Sequence, residues 1–362
     1  MTSLVDERLF ARARTGRRAR ATFAIAGTAL LLVVIMVLSA ALGAVPISLA
    51  STLRALVRGL EGRGATLEGV EAIAWNLRFP RVVMAALVGA SLGMSGASMQ
   101  GLFRNPLAEP YLLGVASGAS LGATLALSFA GRLGTAFGDS PFVAGGASGA
   151  VPLCAFLGAL GAVGATLVLS RAGTRTSMTS LLLAGVVVGG VFTSFSTYLM
   201  LRDADRLRAV FTWTHGGNLA SSSWGDVGRA LPYAMSGACV LYALARGLDA
   251  LQLGDDTART LGVDERTVRI GVILGASLAT AAAVAFVGII GFVGLVGPHI
   301  MRRIGTPAHR VLLPASAFGG AALLVLADFG ARTVIRPAEL PVGVVTTLVG
   351  GPFFLWLLRR PR

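Results

Sequence analysis

The chain has 362 residues, of which 54% are hydrophobic and 13% charged, and its mean hydropathy is +0.76. Soluble domains carry about 25% charged residues, and one soluble core of this length could not hide so much apolar surface, so the composition excludes an ordinary globular enzyme and indicates residence in a membrane. The net charge of +14 does not indicate nucleic acid, because the basic residues fall in clusters between apolar runs and form no stripe with interleaved aromatics.

All 31 basic residues are arginine. The lysine of a phosphate-binding P-loop is therefore missing, and the chain is not expected to hydrolyse ATP itself. Cys154 and Cys239 both sit in apolar segments, where a buried thiol is the plain reading, and no spacing of Cys or His resembles a metal site.

Residues 1–20 hold six arginines ahead of an apolar run at 21–45. That run exceeds the apolar core of a signal peptide, about 7–15 residues, and is long enough to span. It reads as an uncleaved first helix behind a basic cytoplasmic N-terminus, with residues 21–362 forming one polytopic domain. Residues 48–76 are mixed and amphipathic and are placed outside the cytoplasm. Further spans are expected over 81–102, 111–129, 142–169, 180–201, 230–244, 270–287, 291–301, 311–329 and 342–358. The fold class is thus all-α, with about ten transmembrane helices. The densest arginine clusters flank the first and last spans, which places both termini in the cytoplasm. Residues 81–92 echo residues 267–278, and each copy precedes a Gly/Pro break, as in an inverted internal repeat.

Glycines at 89, 93, 96, 101, 114, 118 and 122 recur every three to five residues, a spacing that lets transmembrane helices approach closely. Arg78-Phe79-Pro80-Arg81 opens the second span. Two guanidinium groups at a helix mouth suit carboxylates on a partner, or simply anchor the helix at the interface. The turn Asn105-Pro106-Leu107-Ala108-Glu109-Pro110 joins the second and third spans, where proline suits a connection between helices. Residues 246–269 form a long polar interruption. Within it Gly254 precedes Asp255 and Asp256, which can cap a short helix bearing Ala258, Leu261 and Gly262 on one side; that helix is a soluble linker or a docking element. Asp328 is the one carboxylate deep in the last spans, with Arg332 one turn along. His299 follows a Gly-Pro break and reads as a helix-end hydrogen-bonding residue.

These motifs, in this order, resemble the FecCD-type permeases, the membrane subunits of ABC importers for iron-siderophores, haem and cobalamin. The resemblance covers most of residues 75–362 and includes Gly291 to His299, His309-Arg310, Pro337 to Gly343 and Pro352 to Phe354; Gly297 departs from it, standing where a bulkier apolar residue is common. It implies that Arg78, Arg81 and Arg332 (with Arg336 as local competitor) dock an extracytoplasmic substrate-binding protein. Asn105 and Leu107 would be gate residues, joined by Met178 and Thr179 in the loop before the fifth span. Gly254, Asp255, Asp256, Ala258, Leu261 and Gly262 would enter a groove on the ATPase. The implied assembly sits in the bacterial plasma membrane as a permease dimer of identical or different subunits with two ATPase subunits. ATP and magnesium belong to the ATPase, and no catalytic residue, cofactor or metal is expected in this chain. A ferric siderophore is the expected cargo, with haem or cobalamin as alternatives. An ion-coupled secondary transporter would need paired mid-membrane carboxylates, and a membrane enzyme would need clustered His, Asp, Glu or Cys; the spans offer neither.

Overall fold

A computed structural model describes residues 25–43, 46–129, 147–170, 178–202, 207–304, 308–335 and 338–359. The expectations placed on residues 1–20, on Arg336 and on the loop ahead of Met178 lie outside them. Every regular element among the described residues is helical.

The first helix, α1, covers Ile25–Ala41. The amphipathic segment after it folds into α2 (Leu49–Arg58), capped by the Ser48 hydroxyl, and α3 (Gly69–Ile73), each followed by a wide helical turn. Then come α4 (Phe79–Leu102) and, past a short 3-10 turn at Pro110–Leu113, α5 (Val115–Ser128). Pro80 sits in the first turn of α4, directly after the wide helical turn at Ala74–Arg78, and has no N–H to continue that turn's bonding. Next are α6 (Ala147–Leu169), α7 (Met178–Arg202) and α8 (Leu207–Thr214). Helix α9 (Trp224–Ala243) begins with a capping box between Ser223 and Asp226. The polar interruption forms α10 (Ala245–Gln252) and α11 (Asp255–Thr260) before α12 (Glu265–Val287). The chain continues through α13 (Val293–Ile304), α14 (His309–Thr333) and α15 (Val342–Leu358).

Among the described residues five helices are long and apolar enough to cross a membrane, and α9 with α10 makes a sixth, bent by 45°. Helices α1, α5 and α15 are shorter and apolar. With the short α13, each segment expected to span contains a helix among the described residues.

Helix α4 is the centre of the bundle. Its apolar window is 78% buried, whereas that of α7 is 17% buried. The glycine spacing explains the difference. A methyl group on Gly93 would stand 2.1 Å from the Ser316 carbonyl oxygen of α14, and one on Gly96 would stand 1.9 Å from that of Gly294 in α13. Backbone therefore lies on backbone along α4, as small residues allow. Gly297 is explained likewise: a Cβ there would already meet Gly320 at 3.3 Å, so a bulkier residue would push α13 off α14. The two echoing sequence segments lie in α4 and α12, which are tied where the Ser95 hydroxyl donates to the Ala276 carbonyl at 3.2 Å. At the start of α4, its outer end under the topology expected from the sequence, Trp75 packs on Trp224 with ring centroids 4.7 Å apart, and the Trp224 indole donates to the Trp75 carbonyl at 2.9 Å. This locks the amphipathic segment onto the start of α9.

Candidate functional site

Polar side chains gather at the two ends of α4. At the outer end Arg81 lies in the first turn, 8% exposed, with its fork filled. Its Nε and Nη2 reach Asp328 Oδ1 at 2.9 and 2.8 Å, and its Nη1 donates to Glu339 Oε2 at 2.7 Å. Asp328 is fully buried, and its other oxygen lies 3.1 Å from Arg332 Nε, so the partner expected one turn along is present. Arg332 Nη2 also donates to the Ser39 hydroxyl at 2.5 Å, and Arg78 Nη1 donates to the carbonyls of Ala40 and Ala41 at 2.9 and 2.8 Å. The three arginines thus join α1, α4 and α14 to the segment before α15. All three are buried and bonded within the chain, and the exposed charge beside them is the Glu339 carboxylate.

At its other end, the inner one under the expected topology, α4 closes in a Schellman motif. Arg104 N–H donates to the Gly101 carbonyl at 3.2 Å and Asn105 N–H to the Gln100 carbonyl at 3.1 Å. The first of these donors must be left-handed, and glycine usually takes that place; here it is Arg104, at φ 49°. A side chain in that conformation costs about 1–2 kcal/mol. The Asn105 side chain then accepts from Leu107 N–H at 3.0 Å, so these two expected gate residues share one turn. Met178 and Thr179 form the start of α7, and α7 approaches this region where Gly185 packs against the Leu112 carbonyl. One oxygen of Glu109 is buried without a hydrogen-bond partner, and burial pushes its carboxyl up to about 7 despite a backbone hydrogen bond at Phe292. Phe292 is itself left-handed, at φ 67°.

The expected docking helix is α11, with two corrections. Gly254, at φ 113°, is its cap, and no side chain caps it. Asp255 turns away to bond Arg104 at 2.6 Å and Arg269 at 2.8 Å, while the Asp256 side chain is fully exposed. Ala258 is buried, whereas Leu261, three residues on at the end of the helix, is exposed. Gly262 takes φ 77° after the helix, a turn that favours glycine. Burial works against the Asp255 charge, but Arg269 and then Arg104 outweigh it and hold the carboxyl below the usual carboxylate range.

Residues that the sequence reading missed connect the two segments. Gln252 Nε2 donates to the Gly101 carbonyl at 2.6 Å, and Asp249 Oδ1 accepts from His309 N–H at 2.8 Å. Arg302 bonds the Gln100 amide oxygen. A 480 Å³ cavity lies among these side chains, bordered also by Arg104 and Asn105. Asp249 and Gln252 stand three apart on one helix, and that shared face was the available signal. His299 lies edge-on to Phe353 with centroids 5.8 Å apart. Among the described residues no group of three His, Cys, Asp or Glu side chains could hold a metal ion.

Among the described residues many apolar helices surround a backbone-packed centre, with charged side chains gathered at the two ends of α4, as in a multi-pass membrane permease. The chain belongs to the FecCD transport family, whose model matches residues 31–360. It is a translocation subunit and not an enzyme; in this class ATP is hydrolysed by a separate subunit. It is 40% identical to the cobalamin import system permease of Halobacterium salinarum, over 81% of this chain and 74% of that one. It is 40% identical to the hemin transport system permease of Yersinia pestis, over 79% and 83%. The Fe(3+) dicitrate transport system permease of Escherichia coli is 38% identical over 79% and 84%. A solved metal-chelate type ABC transporter in an inward-facing conformation superposes with a TM-score of 0.76 at 29% identity, covering 92% of this chain and 98% of that chain.

Proposed function

We propose that this permease imports a ferric siderophore, with haem or cobalamin as the alternative cargo, and that it works as a dimer served by two ATPase subunits and an extracytoplasmic binding protein. The observation that carries the reading is the α10–α11 segment. It hangs from the bent end of a span, exposes Leu253 and Leu261 at 66% and 61%, and is bonded to the inner turn of α4. Exposed leucines beside a short polar helix suit a groove on a partner protein. The bare apolar face of α7, with Leu183, Val186 and Val187 all more than half exposed, suits a second copy across a shared pathway. Both termini are placed in the cytoplasm. Alternating access follows if nucleotide-driven motion of the ATPases reaches the inner turn through α10 and α11.

The test is uptake into proteoliposomes holding the chain with its ATPase and binding protein, using a ferric siderophore, haem and cyanocobalamin in turn. ATP-dependent accumulation of the ferric siderophore alone supports the proposal. Preference for haem or cobalamin overturns the cargo, and uptake without the ATPase overturns the coupling. Binding-protein stimulation of ATP hydrolysis that is lost in Arg78→Glu/Arg81→Glu, in variants that remain folded, supports outer docking at these arginines. Unchanged stimulation removes it.

A further inference from the structure

The position after the end of α4 requires a left-handed backbone, and the residue there is an arginine. The turn by itself would be better served by glycine. A strained residue of this kind persists where its side chain has other work. The Arg104 side chain leaves the turn and donates from Nη2 to the Leu251 carbonyl of α10 at 2.5 Å and to Asp255 Oδ1 of α11 at 2.6 Å. Asp255 is in turn held by Arg269 at the start of α12. Its backbone begins the turn that carries Asn105 and Leu107, and its head is attached to both helices of the polar segment.

We propose that Arg104 is the joint through which motion of α10 and α11 reaches the inner turn of the pathway. This rests on the permease–ATPase reading above. It assigns Arg104 as a positioning residue, with Gln252 a parallel tie to Gly101. A rigid turn would need only the backbone bonds; the side chain adds an attachment to the moving part. Glycine at this position keeps the turn and cuts the attachment, whereas lysine keeps a cation within reach of Asp255 and retains the strained backbone.

The experiment places a cysteine at Leu107 in a background of Cys154→Ala/Cys239→Ala, co-reconstituted with the ATPase. The rate of labelling by a membrane-impermeant maleimide is compared without nucleotide and with ATP and vanadate. With Arg104 present the rate changes on nucleotide trapping. In Arg104→Gly the expected result is unaltered thermal stability and ATP hydrolysis, with the nucleotide-dependent change in labelling reduced at least fivefold. Arg104→Lys retains more than half of that change. A glycine variant whose labelling responds like the parent overturns the joint. If the parent shows no nucleotide response while its ATPase is active, the permease–ATPase reading fails, and the joint fails with it.

Discussion

The outer and inner ends of α4 use the same chemistry, arginine against carboxylate, in opposite surroundings. At the outer end Asp328 is fully buried between Arg81 and Arg332, so water cannot replace either partner. At the inner end Asp255 and Arg104 have side chains 37% and 45% exposed, and water competes for every bond. A buried pair is costly to break because one charge is left stranded. A solvated pair exchanges readily. The outer cluster is therefore costly to open, and the inner one costs little.

The strongest way to break this contrast is Asp328→Ala. Arg332 loses its anion and Arg81 keeps only the half-exposed Glu339, so stability should fall by about 3–5 kcal/mol, read as thermal unfolding in detergent. A loss below about 1 kcal/mol would mean that the outer charges reach water after all.

Glu109 is the buried exception at the inner end, and pH exposes it. Its folded carboxyl titrates near 7, against an ordinary value of 4.5, so the native state holds a proton that the unfolded chain has released. Stability should therefore fall as pH rises through that window, by at most about 3 kcal/mol, and Glu109→Gln should flatten the dependence. Melting curves at pH 5 and pH 7.5 decide, and a flat wild-type profile refutes the burial of this group.

Packing of the central helix gives a smaller effect. Gly96→Ala should cost about 1–3 kcal/mol, since its methyl meets the Gly294 carbonyl, whereas Gly161→Ala, with no neighbour within 4 Å, should be neutral or slightly stabilising. Equal melting temperatures for the two variants would contradict the close approach of α4 and α13.

The smallest effect belongs to Asp255→Asn, about 1 kcal/mol or less for a solvated pair. Because the folded carboxyl is held below its ordinary value, its contribution is complete above about pH 4 and is lost only as pH falls through the lower folded value. Stability of the variant relative to wild type should be constant from pH 5 to 8, and a change within that range would show that another group titrates at this contact.

Helix positions were legible in the sequence because each span is an apolar run with polar or Gly/Pro ends, and even the short α13 was marked by its glycine-broken run. The ion pair between Asp328 and Arg332 was legible for the same local reason, one helical turn. Arg81 meets Asp328 across 247 residues, and nothing local signals that. The two aspartates after Gly254 looked like caps, since that is the usual use of Asp before a helix; the tertiary neighbours Arg104 and Arg269 took Asp255 away from that use. Strain at Arg104 was invisible because the alternative at that position, glycine, was simply not there to prompt the question.

The bend between α9 and α10 sets a length scale for control. Eight residues of α10 form an arm of about 12 Å, continuing the bent end of α9 and tied near its tip to Gly101 and Arg104. Swinging such an arm by about 10° carries its tip about 2 Å. The Arg104–Asp255 contact, at 2.6 Å, leaves less than that before it ceases to be a hydrogen bond. Under the proposed coupling, a partner pushing on α11 would meet a threshold: small swings would drag the inner turn along, and larger ones would release it.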